Sequence, residues 1–328
     1  GNSGGLDGLY RFNNNLKLDF QLFSSKTVEP NDTTISSSLN GHLFGKDSIT
    51  SDFDGDIFSG HSLYFSLEGW KKNRALTLLY AERSPMFRVD NGYIDFNDRR
   101  QIVVTTGTML YPNNNTFETL SFWFGTGRVF SYDWTQLTDW IYLSHSGQMK
   151  GQFGYGITLF AEDEFYKSIL FEDNYGLEIS FDKSFSKSIS FDIKPKFGTE
   201  IIRVDAPYQA RNSRLGLGIE LKPSDEFKLN FRMDQSKSIR FENDEVVYSD
   251  MIARARFEYQ ATTFLNFRLV AQYHRYYDTF DIQPLISYQP GPFSIFYFGT
   301  SRSYDTSFPG WEESYGQIYL KVQKLFSF

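Results

Sequence analysis

Four successive segments of this chain carry charge on one parity only, and no other feature of the sequence constrains the fold as tightly. Leu215, Leu217, Ile219 and Leu221 alternate with Arg214, Gly216, Gly218, Glu220 and Lys222. Leu229, Phe231 and Met233 alternate with Lys228, Asn230, Arg232 and Asp234. Ala253, Ala255, Phe257 and Tyr259 alternate with Arg254, Arg256, Glu258 and Gln260. Leu265, Phe267, Leu269, Ala271 and Tyr273 alternate with Asn266, Arg268, Gln272 and His274. Alternate residues of a strand point to opposite faces, so each segment reads as a strand with one greasy and one charged face. A half-exposed soluble sheet can show the same pattern. Repeated strand after strand, however, it leaves the apolar faces little protein to pack against. Lipid supplies the missing partner. An Arg or Lys facing lipid at mid-bilayer costs ~2–4 kcal/mol, so the charges belong inside a barrel and the apolar residues outside.

Composition agrees with that reading. Thirty-four Phe and 21 Tyr help bring the aromatic content to 18% in 328 residues, yet the mean hydropathy is −0.42. A greasy outer wall around a polar interior combines these two properties. No apolar run approaches the ~20 residues of a membrane helix. Trp70, Tyr111, Trp140, Tyr276, Tyr277 and Trp311 gather near predicted strand ends, as interfacial girdles do. The absence of Cys excludes disulfides and thiolate chemistry, and the net charge of −7 argues against nucleic-acid partners.

The connections are of two kinds. Short turns rich in Asn, Lys, Ser and Pro include Asn13–Asn15, Lys71–Asn73, Pro112–Asn115 and Pro290–Pro292. Longer loops are expected at 25–60, 84–98, 162–174, 205–212, 243–250 and 306–314. Tight turns alternating with long loops fit periplasmic and external ends. The expected fold is therefore all-β: one antiparallel transmembrane outer-membrane β-barrel of about 16–18 strands, with residues 1–328 as a single domain. Tracing gives about 17 strands, and bacterial single-chain barrels use even numbers. The odd count leads to the expectation that native chain precedes Gly1.

The last fourteen residues read as a closing strand, with Ile318, Leu320, Val322, Phe326 and Phe328 on one parity. A strand ending on Phe resembles the C-terminal strand of outer-membrane barrels. That resemblance implies that Phe326 and Phe328 act as an assembly signal for the barrel-assembly machinery. A closer resemblance lies in three stretches: Gly5–Leu18, Phe87–Arg100, and the closing pair from Ile286 to Asp305. They are similar to an uncharacterised Gram-negative outer-membrane barrel domain that follows a periplasmic module like the family-nine carbohydrate-binding domains. The segment from about Lys26 to Gly60 is longer than in that pattern. The resemblance implies outer-membrane location, and a sugar-binding role would reside in the module rather than the barrel.

The strongest chemical constellation is the charged parity itself. Lumen-lining positions are expected at Arg214, Glu220, Lys222, Lys228, Arg232, Asp234, Arg240, Arg254, Arg256, Glu258, Arg268, His274 and Lys321. Rings of charge can set pore selectivity, whereas mixed signs can equally cross-link neighbouring strands. Arg254 and Arg256 beside Arg232 and Arg268 make the most positive patch. Asp52, Asp54 and Asp56 have the alternate spacing of a calcium loop. The glycine and glutamate of an EF-hand are replaced by Ile57 and Leu63, so a solvated acidic loop competes with a metal site. Ser144-His145-Ser146 is the one stretch with hydrolase residue types, but adjacent strand residues point apart and cannot pair. No catalytic site and no cofactor are expected. The function expected is a structural or scaffolding barrel, with a porin-like channel or substrate-specific transporter as the alternative and a lipid hydrolase as a distant one. The partners expected are outer-membrane lipid, the assembly machinery, and other outer-membrane or periplasmic proteins.

Overall fold

The computed structural model describes residues 1–36, 41, 43–44, 49–89, 95–307 and 310–324. Among them every regular element is a strand: β1 (Asn2–Asn13), β2 (Leu16–Val28), β3 (Leu43–Phe44), β4 (Ile49–Thr50), β5 (Ile57–Lys71), β6 (Arg74–Arg83), β7 (Arg99–Leu110), β8 (Phe117–Phe130), β9 (Gln136–Met149), β10 (Phe153–Tyr166), β11 (Ile169–Ser184), β12 (Ile189–Ile202), β13 (Tyr208–Leu221), β14 (Phe227–Arg240), β15 (Val246–Gln260), β16 (Leu265–His274), β17 (Thr279–Gly291), β18 (Ser294–Asp305) and β19 (Glu312–Lys324). Seventeen of these have ten or more residues, which matches the strand count read from the sequence. The remaining two, β3 and β4, form a short hairpin within the loop after β2.

Two compact units are present. The first comprises Gly1–Leu110, Ser121–His145 and Leu159–Tyr175; the second comprises Tyr111–Leu120, Ser146–Thr158 and Gly176–Phe328. In the first, β1 pairs with β2, β2 with β5, β5 with β6 and β6 with β7, all antiparallel. In the second, the run from β11 to β19 pairs each strand with the next, again antiparallel. Local chemistry makes the hairpins. At the β1–β2 turn the Asn15 N–H donates to the Asn13 side chain at 2.8 Å, which is the self-bonding that suits Asn to turns.

The loops differ from expectation. Among the described strands of ten or more residues, only two connections exceed six residues, 29–56 and 84–98. The stretch 162–174, expected as a long loop, is strand on both sides of a two-residue turn at Lys167–Ser168. Both turn residues have positive φ, 47° and 63°. A type I′ turn needs this geometry, because its twist matches that of the flanking strands. Neither residue is Asn or Gly, so the sequence carries no turn signal there.

Register decides the faces. In the second unit Asp192, Gly218, Arg232, Arg254, Gln272, Asp281 and Ser303 form one row across seven strands. On the opposite parity lie Ile193, Leu217, Met233, Ala253, Tyr273 and Phe280. The core is thus not a central mass of buried side chains. Few large residues are buried, whereas Ile318, Leu320 and Val322 of β19 are 68%, 71% and 57% exposed. A wall whose apolar face meets lipid has this distribution.

Candidate functional site

The polar face of the second unit collects the residues expected to line a lumen. Arg214 and Glu220 on β13, Lys228, Arg232, Asp234 and Arg240 on β14, Arg254, Arg256 and Glu258 on β15, and Arg268 and His274 on β16 share one face by register. Lys321 on β19 belongs to the same face through β17 and β18. Lys222 stands one residue beyond β13 and reaches the face through its side chain, with Nζ 2.9 Å from Glu220.

Most of these charges are paired. Glu220 sits between Lys222 and Lys228, the latter at 2.8 Å. Arg214 reaches Glu200 at 3.2 Å, and Arg256 donates to Glu258 at 2.9 Å. Arg240 lies 3.6 Å from Glu245. His274 is 2.8 Å from Asp250, whose other oxygen accepts the backbone N–H groups of Met251 and Tyr276. Gly218 makes a further pair possible. Asp192 and Arg232 occupy the strands on either side of it. A Cβ on Gly218 would lie 2.1 Å from Asp192 Oδ1. The missing side chain lets Asp192 lean across to within 3.7 Å of Arg232, while Lys194 of its own strand lies at the same distance. A cavity of about 500 Å³ opens here, lined among others by Lys194, Arg214, Arg232 and Asp234.

Pairing is incomplete. Arg232 and Arg254 stand directly opposite each other, and like charges in that position repel. Both are exposed. Arg254, Asp234 and Lys321 have no ion-pair partner within 4.0 Å among the described residues, and Arg268 has a buried Nε with no hydrogen bond.

The acidic loop and the Ser144-His145-Ser146 stretch make local contacts. Among the described residues no three potential donors gather to hold a metal. Asp54 instead accepts from the Thr50 hydroxyl at 2.9 Å, and the Asp56 carbonyl accepts from the Glu29 N–H at 3.0 Å. Asp52, Asp54 and Asp56 thus stabilise their own loop, which corrects the calcium reading. His145 stacks on Phe122 with centroids 4.3 Å apart, and its Nδ1 lies 3.0 Å from the Ser121 carbonyl. Phe326 and Phe328 lie outside the described residues.

The first unit holds two clusters that sequence reasoning missed. On the apolar parity of β5–β7, Glu82 accepts from Arg100 Nε at 3.0 Å and from the Tyr80 hydroxyl, and lies 3.2 Å from His61 Nε2. The Arg100 guanidinium lies between the Tyr132 and Trp134 rings, 3.9 and 4.4 Å from their centroids. The group stands at the long-loop ends of these strands, beyond Leu63, Leu78 and Ile102. In the second cluster Glu29 pairs with Arg88 at 2.8 Å across the two long loops. These partners are far apart in sequence, and no local signal links them.

Comparison with known proteins bears on the fold. No protein-family model matches the chain, and no curated protein does. Solved structures do. A mutant of the ferric enterobactin receptor of Pseudomonas aeruginosa superposes with TM-score 0.51 at 9% identity, covering 98% of this chain and 61% of the receptor. The siderophore receptor PirA of Acinetobacter baumannii gives 0.51 at 8% identity, over 98% and 63%. PirA of P. aeruginosa gives 0.50 at 8%, over 99% and 64%. The fold is that of an antiparallel transmembrane outer-membrane β-barrel of Gram-negative bacteria, as expected from the alternating parity. The chain spans about three fifths of the length of these receptors.

Proposed function

We propose that this chain forms a structural barrel wall in the outer membrane, braced from within and serving as scaffold or partner in an outer-membrane assembly. One observation carries the reading: Arg214, Glu220, Lys222, Lys228, Arg232, Arg240, Arg256, Glu258 and His274 each have a partner of opposite sign within 4.0 Å on the polar face. A selectivity ring works by presenting one sign of charge to a passing ion. Mixed charges that neutralise one another brace neighbouring strands instead. Lipid contacts the apolar face, the assembly machinery reads Phe326 and Phe328, and the loops at 29–56 and 84–98 meet partners. The likeness to the barrel domain that follows a carbohydrate-binding module supports a periplasmic companion of that kind. No catalytic step belongs to this reading. Planar-bilayer conductance of the purified protein tests it, together with co-purification from gently solubilised membranes. A silent barrel with companions is expected, and a steady open conductance from a solitary protein overturns it.

A second reading rests on Arg232 and Arg254. Their direct opposition, without a shared counterion, favours an anionic solute at that level of the polar face. The solved proteins of like fold are siderophore receptors, which supports solute handling only through the shared fold. Reversal potentials in a salt gradient decide: anion preference that Arg254→Gln removes supports this reading, and unchanged or cation preference sinks it.

A further inference from the structure

The described parts of the two long loops line a site that neither reading uses. Residues 84–89 and 95–98 of the loop after β6 fold against the polar face of the first unit at its long-loop end. The Arg88 N–H donates to the buried Ser25 hydroxyl at 3.1 Å. A Cβ on Gly60 would stand 2.2 Å from the Phe87 nitrogen, so only glycine admits the loop there. Asn97 secures the loop's far side by donating to the Phe87 carbonyl at 2.5 Å. Between this loop and the one after β2 lies a cavity of about 400 Å³, walled by Phe53, Phe58, Met86 and Phe87. That volume falls within the range of small-molecule pockets, ~300–1,000 Å³.

Two charged groups, Glu29 and Arg88, line this largely apolar space. The Glu29 side chain is only 2% exposed. One of its oxygens takes Arg88 at 2.8 Å, and the other, Oε2, is buried with no hydrogen-bond partner. An unsatisfied carboxylate oxygen in an apolar wall is costly to keep and signals a missing donor. The nearby charges favour a positive donor. Against the single cation Arg88, itself laid over the Phe53 ring at 5.1 Å, Asp54 and Asp56 both bear electrostatically on Glu29. Burial is the largest influence and pushes the Glu29 carboxyl above its ordinary value, in spite of Arg88.

We propose that this cavity is a binding site for an organic ammonium ion with an apolar body of aromatic size, its N–H directed to Glu29 Oε2 and its body held among Phe53, Phe58 and Phe87. A neutral molecule of the same shape satisfies the walls but not the charge. The test is isothermal titration calorimetry on the full chain in detergent micelles, with phenethylammonium chloride as probe and 2-phenylethanol as its neutral counterpart. The ammonium ion is expected to bind saturably, one per chain, about tenfold or more tighter than the alcohol, the ratio for a charge-assisted hydrogen bond. Glu29→Gln should bring the two affinities together. Met86→Trp should fill the cavity and abolish binding of both. Folding of each variant is checked by heat-modifiable gel migration. If Glu29→Gln does not fold, the ammonium-to-alcohol ratio in the native chain decides alone. Equal affinities for the two probes, no saturable binding at millimolar concentration, or a preference that survives Glu29→Gln in a folded protein would each overturn the proposal.

Discussion

Arginine placed at Ala255 tests the assignment of faces most directly. Ala255 lies on the apolar face, opposite Phe231 on one side and Ala271 on the other. On its own strand that face runs from Met251 to Tyr259, four residues each way. At ~3.4 Å per residue this is ~14 Å along the strand in either direction. With a strand tilt of ~40° it becomes ~10 Å along the membrane normal, which puts Ala255 close to the middle of an apolar band ~25 Å tall. One cation on this face lies beyond that band. Lys237 stands opposite Ser249, six residues from Ala255, or ~16 Å from the midplane by the same reckoning and outside the band. Ala255→Arg should therefore cost ~2–4 kcal/mol, or roughly one and a half to three powers of ten in the folding equilibrium. Gln272→Arg adds the same side chain one strand away on the polar face, directly opposite Arg254. Its expected cost is under ~1 kcal/mol, a like-charge contact in a solvated setting. Reversible urea unfolding in lipid vesicles, followed by tryptophan fluorescence, measures both. Equal losses, or a larger loss at Gln272, would show that the apolar parity does not face lipid.

Other expectations concern the loops and the charged face. Gly60→Val forces a side chain into the Phe87 backbone and should release loop 84–98 at a cost of ~1–3 kcal/mol, seen as faster proteolysis within that loop; unchanged cleavage would refute the packing. Glu220→Gln leaves Lys222 and Lys228 without their shared partner, yet all three are partly exposed, so a loss of only ~1 kcal/mol or less is expected in urea unfolding. A much larger loss would mean that the pairing is shielded from water. The Glu29 carboxyl has a raised pKa, so its neutral form is the one the fold favours. Its contribution to loop docking is full below the ordinary value of 4.5 and is lost as pH rises through the raised value. Ammonium binding runs the other way, strengthening as Glu29 ionises in the presence of Arg88, Asp54 and Asp56. Hydrogen-exchange protection of the loop and calorimetry at matched pH follow the two trends, and parallel rather than opposed trends would refute the assignment.

The alternation in β13–β16 was legible in the chain because strand orientation is a local property: residues two apart share a face whatever the strand pairs with. That suffices for the fold class, the strand count and the common face of the charged residues. Turn signals held where Asn or Pro announced them and failed at Lys167–Ser168, whose left-handed pair has no compositional mark. Which charges neutralise each other could not be read, because it depends on register between strands. Asp192 meets Arg232 only because Gly218 stands between them without a side chain. Glu29 and Arg88 are 59 residues apart and meet only because two loops fold onto the same wall. The sequence by itself determined that one face of this chain must meet lipid and the other charge, through a period of two written into every strand. Tertiary structure alone decided which charges pair, which stay open and where a cavity forms, since those depend on the register and loop packing that bring distant residues together.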